Sequence, residues 1–321
     1  MVKILVTGAA GFIGFHVAKA LLARGDTVIG VDNISSYYDP KLKLARLREL
    51  KKARNSRNFT FYKADIADYR AMERIFRKHK VQKVCHLAAQ AGVRYSLTDP
   101  FAYERSNNLG TLTLLELCRH NEVKRFIFAS SSSVYGGNTK LPFSEKDRVD
   151  TPISVYAATK KYDEVLAHAY HHLYGINCTG LRFFTVYGPW GRPDLSLFKF
   201  TRNILAGRPI EVYNRGKHTR DFTYIDDIVP GVLAAIDRSF PYELFNLGRG
   251  EPVNLLDFIK IIEQELGKGA KRKLLPMQPG DVETTHADIS KARRMLGYSP
   301  KTSIREGTRQ FIRWYREYYK K

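Results

Sequence analysis

Short apolar runs alternate with amphipathic stretches through the first half of the chain. Six runs have the apolar character and small or polar ends of buried strands: VKILVTG, DTVIGVD, FTFYKAD, KVCHLAA, RFIFASS and INCTGLRFF. Apolar residues recur at helical spacing in residues 12–24, 41–52, 69–79, 101–120 and 156–174. This alternation predicts parallel β-α-β units, and therefore an α/β fold with a doubly wound parallel sheet of the Rossmann type.

The pattern changes after residue 185, where glycine and proline become frequent in segments such as YGPWGRPD and QPGD. We therefore predict a Rossmann domain over residues 1–185 and a smaller C-terminal α/β domain from residues 186–220 and 251–321. The segment RDFTYIDDIV and the apolar helix after it predict that residues 221–250 rejoin the first domain. The smaller domain would supply the second wall of a cleft.

A glycine-rich turn, GAAGFIG, follows the first predicted strand and opens the first helix. Gly8, Gly11 and Gly14 allow a tight turn in which backbone N–H groups approach a pyrophosphate at a helix N-terminus. Asp32 ends the second strand, where a carboxylate can accept both ribose hydroxyls and would repel the 2′-phosphate of NADP. The spacing G-x-x-G-x-x-G alone is also compatible with structural glycines, but its position between strand and helix favours an NAD site.

A tyrosine and a lysine lie four residues apart on the predicted helix 156–174. The spacing places Tyr156 and Lys160 on one helical face. A free tyrosine has a pKa near ~10, and a neighbouring ammonium lowers it. Serines 130–133 end the preceding strand and can hydrogen-bond the same substrate hydroxyl. Such a pair occurs by chance in many helices, but after a dinucleotide turn and a serine-bearing strand end it indicates acid–base chemistry.

Composition limits the class of protein. The 321 residues are 44% hydrophobic and 26% charged, which is a globular balance. Cys85, Cys118 and Cys178 lie far apart without a CxxC pair, which argues against disulfides or a zinc site and fits a reducing compartment. The chain begins in a strand, without a charged leader, and has no apolar stretch of about 18 residues. We expect a cytoplasmic protein with no membrane partner.

The net charge is strongly positive, with 53 Lys+Arg against 32 Asp+Glu and a formal charge of +21. Such a charge suits a nucleic-acid binder, a membrane-surface protein or an enzyme for anionic substrates. The basic segment 41–57 and the tail from Lys291 carry no signature of a known nucleic-acid-binding module, so we interpret both as helices with solvated basic faces. We expect no nucleic-acid partner.

Three histidines lie close together on the predicted helix 156–174. His168, His171 and His172 have no acid or cysteine placed to complete a metal site, so we expect no metal.

Longer motifs resemble those of the extended short-chain dehydrogenase/reductases, and among them the NAD-dependent nucleotide-sugar epimerases. The resemblance covers nearly the whole chain through TGAAGFIG, HLAAQAGVRYS, SNNLGT, FASSSSVYG, YAATK, LRFFTVYGPWGRPD, RDFTYIDDI and QPGDV. The combination of AAQAGVRYS with FFTVYGPWGRPD looks most like the UDP-glucuronate 4-epimerases. The resemblance implies a Rossmann domain with NAD and a smaller domain that binds the UDP-sugar.

The implied reaction converts UDP-glucuronate to UDP-galacturonate through a 4-keto intermediate. Tyr156 would take the proton of the 4-hydroxyl while NAD⁺ takes hydride from carbon 4, and the hydride would return to the opposite face. Lys160 would tune Tyr156 and hold the nicotinamide ribose, with Ser131 as proton-relay partner. Alternatives are a UDP-glucuronate decarboxylase, a UDP-glucose or UDP-N-acetylglucosamine 4-epimerase, and, outside enzymes, a basic NAD-binding regulator or nucleic-acid binder.

The resemblance also implies two sets of binding residues and an assembly. The expected NAD ligands, besides Tyr156 and Lys160, are Gly8, Gly11, Phe12, Ile13, Gly14, Asp32, Asn33, Asp65, Ile66, Ala88, Ala89 and Gln90. The expected substrate ligands are Arg94, Asn107, Ser132, Ser133, Thr185, Arg192, Arg220 and Asp281. Thr185, Ser132 and Ser133 would hold the glucuronate carboxylate, with Arg94 nearby as a charge partner. The helices over 101–120 and 156–174 pair across a dimer in this family, so we expect a homodimer.

Overall fold

The computed structural model describes residues 2–320 and has the α/β architecture expected from the alternation of strands and helices. The strands are β1 Lys3–Thr7, β2 Thr27–Asp32, β3 Phe59–Lys63, β4 Lys83–His86, β5 Arg125–Ser131, β6 Asn177–Phe183, β7 Thr185–Tyr187, β8 Ile210–Val212, β9 Thr219–Tyr224, β10 Tyr242–Leu247, β11 Pro252–Asn254 and β12 Arg272–Leu274. The helices are α1 Phe12–Ala23, α2 Pro40–Lys52, α3 Tyr69–His79, α4 Pro100–Tyr103, α5 Gly110–His120, α6 Val155–Tyr174, α7 Ser196–Leu205, α8 Ile225–Asp237, α9 Leu255–Leu266, α10 Ser290–Leu296 and α11 Ile304–Tyr319.

The central sheet has seven strands in the order β10-β6-β5-β4-β1-β2-β3, and every neighbouring pair is parallel. The prediction of a doubly wound parallel sheet is confirmed. The strand order reverses between β1 and β4, and in such sheets a crevice opens at the carboxyl ends of the strands on either side of that point. Two smaller sheets, β11-β9-β7 and β12-β8, lie outside the central one.

Both faces of the central sheet are buried. Along β1, Ile4 and Val6 belong to one apolar cluster, whereas Leu5 between them belongs to the other. Successive side chains of a strand point to opposite faces, so the helices on each face pack against alternate residues. This arrangement explains why the first strands are nearly continuous apolar runs rather than alternating ones.

One predicted helix differs from the structure. The predictions over residues 12–24, 41–52, 69–79 and 156–174 correspond to α1, α2, α3 and α6. The uninterrupted helix predicted over 101–120 is wrong in its middle, because residues 104–109 form a π-helical segment between α4 and α5. The wider turn brings Asn107 inward, where its side chain accepts a hydrogen bond from the Gln90 N–H at 2.8 Å.

The last strand of the central sheet comes from the second half of the chain. Strand β10 pairs with β6, and α8 packs against α1, whereas β9 pairs with β7 and β11. The domain division at residues 185, 220 and 250 stays a prediction. Within residues 2–320, we find no helix with the length and hydrophobicity needed to span a membrane.

Candidate active site

A cleft of about 900 Å³ opens at the carboxyl ends of the central strands. Its first wall consists of the segments that follow β1, β2, β4, β5 and β6. Its second wall consists of α7, the start of β9 and the loop around residues 280–285. The cleft therefore lies where the strand order predicts a ligand site.

The glycine turn after β1 provides a surface without side chains. A Cβ at Gly8 would lie 2.8 Å from the Ala88 nitrogen, and a Cβ at Gly14 would lie 2.1 Å from the Gly8 carbonyl oxygen. Gly8 also has a φ of +69°, which favours glycine. Asp32 is buried beside the turn and accepts a hydrogen bond from the Ala10 N–H at 3.2 Å. A turn that only glycine fits, at the N-terminus of α1 and beside a buried carboxylate, suits a dinucleotide.

Two basic residues of α2 are buried, one at the cleft and one behind this turn, which corrects the interpretation of segment 41–57 as a solvated face. Lys43 is 6% exposed and lines the cleft, and Arg46 is fully buried. Burial lowers the pKa of Lys43, and the nearby Asp32 carboxylate opposes that shift. Arg46 donates hydrogen bonds to the carbonyls of Ala10 at 2.9 Å and Trp190 at 2.6 Å. The Arg46 guanidinium thus joins the glycine turn to the loop that carries Arg192.

Tyr156 and Lys160 lie on the first turns of α6 and both line the cleft. Ser154 caps this helix by accepting a hydrogen bond from the Ala157 N–H at 3.1 Å. Lys160 is 2% exposed and donates to the Ala129 carbonyl at 3.0 Å and to Asp163 at 3.0 Å. The ammonium is therefore fixed against the end of β5, one helical turn from the phenol.

The serine run at the end of β5 divides between the cleft and the core. The Ser131 hydroxyl accepts from the Ser133 N–H at 3.1 Å and so starts a 3₁₀ turn that presents Ser132 and Ser133 to the cleft. Ser130 instead donates to the buried Glu164 carboxylate at 2.6 Å. Glu164 anchors this strand end, which leaves Ser131 and the turn on the wall that carries Tyr156.

Arg192 faces this wall from the loop after β7. Its Nε donates to Asp194 Oδ1 at 3.0 Å. Burial alone would raise the pKa of Asp194, but the Arg192 guanidinium outweighs burial and the pKa is lowered. Burial and the Asp194 charge raise the pKa of the neighbouring Tyr37 to about 12. Arg192 is thus held by a charged partner at the cleft surface, where a planar guanidinium can bind phosphate oxygens.

A second cationic group surrounds Asp281. Arg220 donates to Asp281 Oδ1 at 2.8 Å, and Arg94 lies 3.6 Å from Oδ2 while stacking over the Tyr213 ring. Burial lowers the pKa of Arg220, and Asp281 opposes that shift. His218 Nε2 is buried 3.5 Å from Asp281 Oδ2, and burial lowers the pKa of this imidazole. The group is suited to a ligand with more than one negative charge.

The structure brings the residues expected from the sequence together around one cleft, with one exception. The residues that line it include Tyr156, Lys160, Ser131, Gly8, Gly11, Phe12, Ile13, Gly14, Asp32, Asn33, Asp65, Ile66, Ala88, Ala89, Gln90, Arg94, Ser132, Ser133, Thr185, Arg192, Arg220 and Asp281. Asn107 is fully buried behind the wall, where its amide donates to the Gln90 carbonyl at 3.1 Å and to Thr159 Oγ1 at 2.9 Å. Asn107 therefore supports the segment around Gln90 from behind.

Comparisons with known proteins agree with this geometry. A family model described as GDP-mannose 4,6 dehydratase matches residues 5–311. An uncharacterized protein of Methanocaldococcus jannaschii is 54% identical, over 98% of this chain and 96% of its own length. The UDP-glucuronate 4-epimerase of Thermodesulfobacterium geofontis is 48% identical, over 98% of this chain and 96% of its own length. The chain belongs to the extended short-chain dehydrogenase/reductase family.

A solved member of this family has the same fold. The crystal structure of UDP-glucuronic acid 4-epimerase from Bacillus cereus, in complex with UDP-glucuronic acid and NAD, superposes with a TM-score of 0.91 at 37% sequence identity. The match covers 99% of this chain and 100% of that one. The fold that carries Tyr156, Lys160 and the glycine turn is therefore matched over nearly its whole length by a solved structure.

Sequence analysis missed several residues that shape the site of this dehydrogenase/reductase. Lys43 and Arg46 were assigned to a solvated face, although their spacing of three residues places both on one side of α2. Asp163 and Glu164 follow the Tyr156–Lys160 pair on the same helix, and this proximity in sequence is the feature that could have indicated their role in the site. No pattern in the sequence marks His218, because its contact with Asp281 joins it to a loop some sixty residues later.

We expect the substitution Gly14→Ala to disrupt the cofactor turn. The added methyl group would lie 2.1 Å from the Gly8 carbonyl oxygen, so turn and helix must separate, at a cost of about 1–3 kcal/mol or more. NAD affinity, measured by calorimetry, should fall together with the free energy of unfolding. Gly269→Ala is the control, because a Cβ there meets no atom within 4 Å. Equal NAD affinity in both variants would contradict the assignment of the turn.

Proposed function

We propose that this protein interconverts UDP-glucuronate and UDP-galacturonate by epimerisation at carbon 4. The observation that carries the proposal is the common wall on which Tyr156, Lys160 and Ser131 meet the glycine turn. The facing wall carries Arg192 and Arg220, which suit a sugar nucleotide diphosphate. A relative of nearly the same length, the protein of Thermodesulfobacterium geofontis at 48% identity, carries the name UDP-glucuronate 4-epimerase.

NAD is the cofactor that this cleft fits. The turn at Gly8, Gly11 and Gly14 receives the pyrophosphate, and the buried Asp32 carboxylate accepts hydrogen bonds from ribose hydroxyls. Lys160, which lines the same cleft, holds the nicotinamide ribose. When bound, NAD takes up the hydrogen of carbon 4 and returns it, so the reaction has no net redox change.

Tyr156 moves the proton of the 4-hydroxyl. The Lys160 ammonium stabilises the phenolate by its positive charge, and the Ser131 hydroxyl orients the substrate oxygen. Once the 4-keto sugar has turned over, the same phenol returns the proton to the other epimer. Turning requires that the sugar be held mainly through its nucleotide, which is the task of Arg192 and Arg220 on the far wall.

The glucuronate carboxylate needs separate control. A ketone at carbon 4 makes the carboxylate at carbon 5 a β-keto acid, which loses CO₂ when the breaking bond aligns with the carbonyl π system. Thr185, Ser132 and Ser133 line the cleft on the side of Tyr156 and offer hydroxyl donors. Held by these donors, the carboxylate stays out of the aligned orientation.

We expect Thr185→Val to raise the fraction of UDP-pentose and CO₂ among the products roughly tenfold. The substitution keeps the side-chain shape and removes one hydrogen bond to a charged group, worth about 1.5–3 kcal/mol. Product ratios by chromatography, with CO₂ trapping, measure the effect. Thr60→Val, an exposed threonine on β3 outside the cleft, is the control. If Thr185→Val left both the epimer ratio and CO₂ release unchanged, the carboxylate clamp would be wrong.

The proposed activity is tested by incubating the purified protein with NAD and UDP-glucuronate and resolving the products by chromatography with CO₂ detection. UDP-galacturonate without CO₂ is the expected result. UDP-pentose with CO₂ would make the protein a decarboxylase, and faster turnover of UDP-glucose or UDP-N-acetylglucosamine would make it a neutral-sugar epimerase. No product, combined with salt-sensitive DNA binding, would favour the non-enzymatic alternative.

We infer in addition that two copies pair through residues 101–120 and helix α6. Large apolar side chains are exposed along this side of the molecule, among them Phe101 at 82%, Val165 at 56% and Leu173 at 63%.

The cytoplasm is the proposed location, because all three cysteines are free and buried. Residues 186–220 and 251–321 are the proposed UDP-sugar domain.

A further inference from the structure

The Lys160 ammonium has a carboxylate partner at the base of the cleft. Asp163 lies one turn further along α6, and its Oδ2 accepts from Lys160 Nζ at 3.0 Å. The two side chains are 2% and 1% exposed, respectively. A buried pair of opposite charges costs desolvation of both groups, so it contributes little net stability and points to another role.

A chain of polar side chains approaches the same carboxylate from the other side. His86 Nδ1 lies 2.8 Å from Thr7 Oγ1, and His86 Nε2 lies 3.1 Å from Thr111 Oγ1. The Ala88 N–H donates to Thr7 Oγ1 at 3.1 Å. Oδ1 of Asp163 makes no full hydrogen bond within residues 2–320, although the Thr111 hydroxyl lies close enough to lower the pKa of the carboxyl.

Each hydrogen bond in this series of side chains can be donated in the direction of Asp163. Burial lowers the pKa of His86 to about 3, so the imidazole is neutral at physiological pH, with one donor and one acceptor nitrogen. With the proton assigned to Nε2, the Thr7 hydroxyl donates to Nδ1, Nε2–H donates to Thr111, and the Thr111 hydroxyl faces Asp163. The chain begins at the Ala88 backbone, which packs against Gly8 of the glycine turn.

We propose that Asp163 is the counterion that keeps Lys160 charged and directed into the cleft, and so acts as a positioning residue for the reaction. The inference deepens the proposed epimerase function and rests on it. Asp163 does not reach the cleft surface, and Lys160 carries its effect to Tyr156 and to the ribose. The chain through His86 couples this ion pair to the segment beneath the cofactor turn.

The other titratable groups around the pair are either neutral or engaged elsewhere, so Asp163 is the counterion of Lys160. Burial and the neighbouring Glu164 raise the pKa of Asp163, and Lys160 opposes that shift. Glu164 itself is engaged by Arg182, which donates to it at 2.8 Å and 2.9 Å. His86 is neutral, and burial raises the pKa of Tyr162, so neither supplies a charge at pH 7.

The first test compares wild type with Asp163→Asn, which keeps the side-chain shape and removes its charge. At saturating NAD we expect kcat for UDP-glucuronate to fall about tenfold or more, with KM changed less than threefold. The alkaline limb of the pH–rate profile should move down by about one pH unit, because an unpaired buried ammonium loses its proton more readily. Asp257→Asn is the control, since Asp257 pairs with Lys260 at 3.4 Å on the exposed surface of α9.

The second test is a double-mutant cycle with Lys160→Met. If Asp163 acts through Lys160, then Asp163→Asn should change kcat less than threefold in the Lys160→Met background. Asp163→Asn should also lower Tm in the wild-type background but not in the Lys160→Met background, where no ammonium is left unpaired. An unchanged pH profile, or equal losses of rate and Tm in both backgrounds, would overturn the proposal.

The two hypotheses fail in different ways. A wild-type protein that does not convert UDP-glucuronate would refute the proposed function. The Tm cycle needs no turnover and would still decide whether Asp163 and Lys160 form the inferred charge pair. If Asp163→Asn alone does not yield folded protein, recovery of folding in Lys160→Met/Asp163→Asn supports the pairing, and failure of both variants contradicts it.

Discussion

Replacement of Tyr156 by phenylalanine is expected to lower kcat about 10²–10⁴-fold, which is the range that one positioned acid–base group contributes. The ring would keep its edge contact with Tyr103, whose centroid lies 5.9 Å away, so the wall of the cleft should stay intact. NAD affinity should therefore remain within a few-fold of wild type. Initial rates with UDP-glucuronate and NAD titration by calorimetry measure the two quantities.

Tyr162→Phe provides the matched control for this prediction. Tyr162 lies on the same helix but is 37% exposed and does not line the cleft. The control should keep the wild-type kcat. A Tyr156→Phe variant that retained more than a tenth of the wild-type kcat would show that another group moves the proton of the 4-hydroxyl.

Replacement of Glu164 by glutamine is expected to lower the free energy of unfolding by about 3–5 kcal/mol, because it leaves a buried guanidinium without a counterion. Glu164 accepts two hydrogen bonds from Arg182, at 2.8 Å and 2.9 Å, and both side chains are almost fully buried. Burial alone would lower the pKa of Arg182, but the Glu164 carboxylate outweighs burial and the pKa is raised. Urea unfolding at saturating NAD measures the loss.

An exposed ion pair supplies the comparison for Glu164→Gln. Glu73 accepts from Arg77 at 2.8 Å on the surface of α3, with the side chains 30% and 73% exposed. Glu73→Gln should change the free energy of unfolding by less than about 1 kcal/mol, since water screens this pair. Equal losses in the two variants would mean that the buried pair does not stabilise the packing of α6 against β6.

Local signals explain most of what the sequence predicted correctly. The glycine turn, the strand that precedes it and the helix that follows lie within about twenty residues, so their pattern is complete in one segment. The same holds for Tyr156 and Lys160, which one helix places on one face. Residues such as Arg192 and Arg220 were assigned through longer motifs of the resembled family, because neither composition nor spacing distinguishes them from surface arginines.

What the sequence did not reveal depends on contacts between distant segments. Arg46 is buried among acceptors from separate segments, and one of them is the Trp190 carbonyl, 144 residues later. The π-helical segment at residues 104–109 forms where the Asn107 side chain reaches the Gln90 backbone, and helical periodicity carries no trace of that contact. The Glu164–Arg182 pair likewise joins α6 to β6, and its partners are separated by 18 residues.

The large positive charge now separates into parts with different environments. Arg94, Arg192, Arg220 and Lys43 line the cleft, and Arg46 supports the glycine turn from behind. These five cations surround a site for which we propose a substrate with a diphosphate and a carboxylate. Most of the remaining basic side chains are exposed to solvent, as in the helix α11.

The central claim is that carbon 4 of UDP-glucuronate is oxidised and reduced again within one cleft. UDP-glucuronate that carries deuterium at carbon 4 tests it most directly, with NMR and mass spectrometry of the product. We predict UDP-galacturonate that retains both the deuterium at carbon 4 and the carboxylate. Loss of the deuterium to solvent, or a UDP-pentose accompanied by CO₂, would contradict the account.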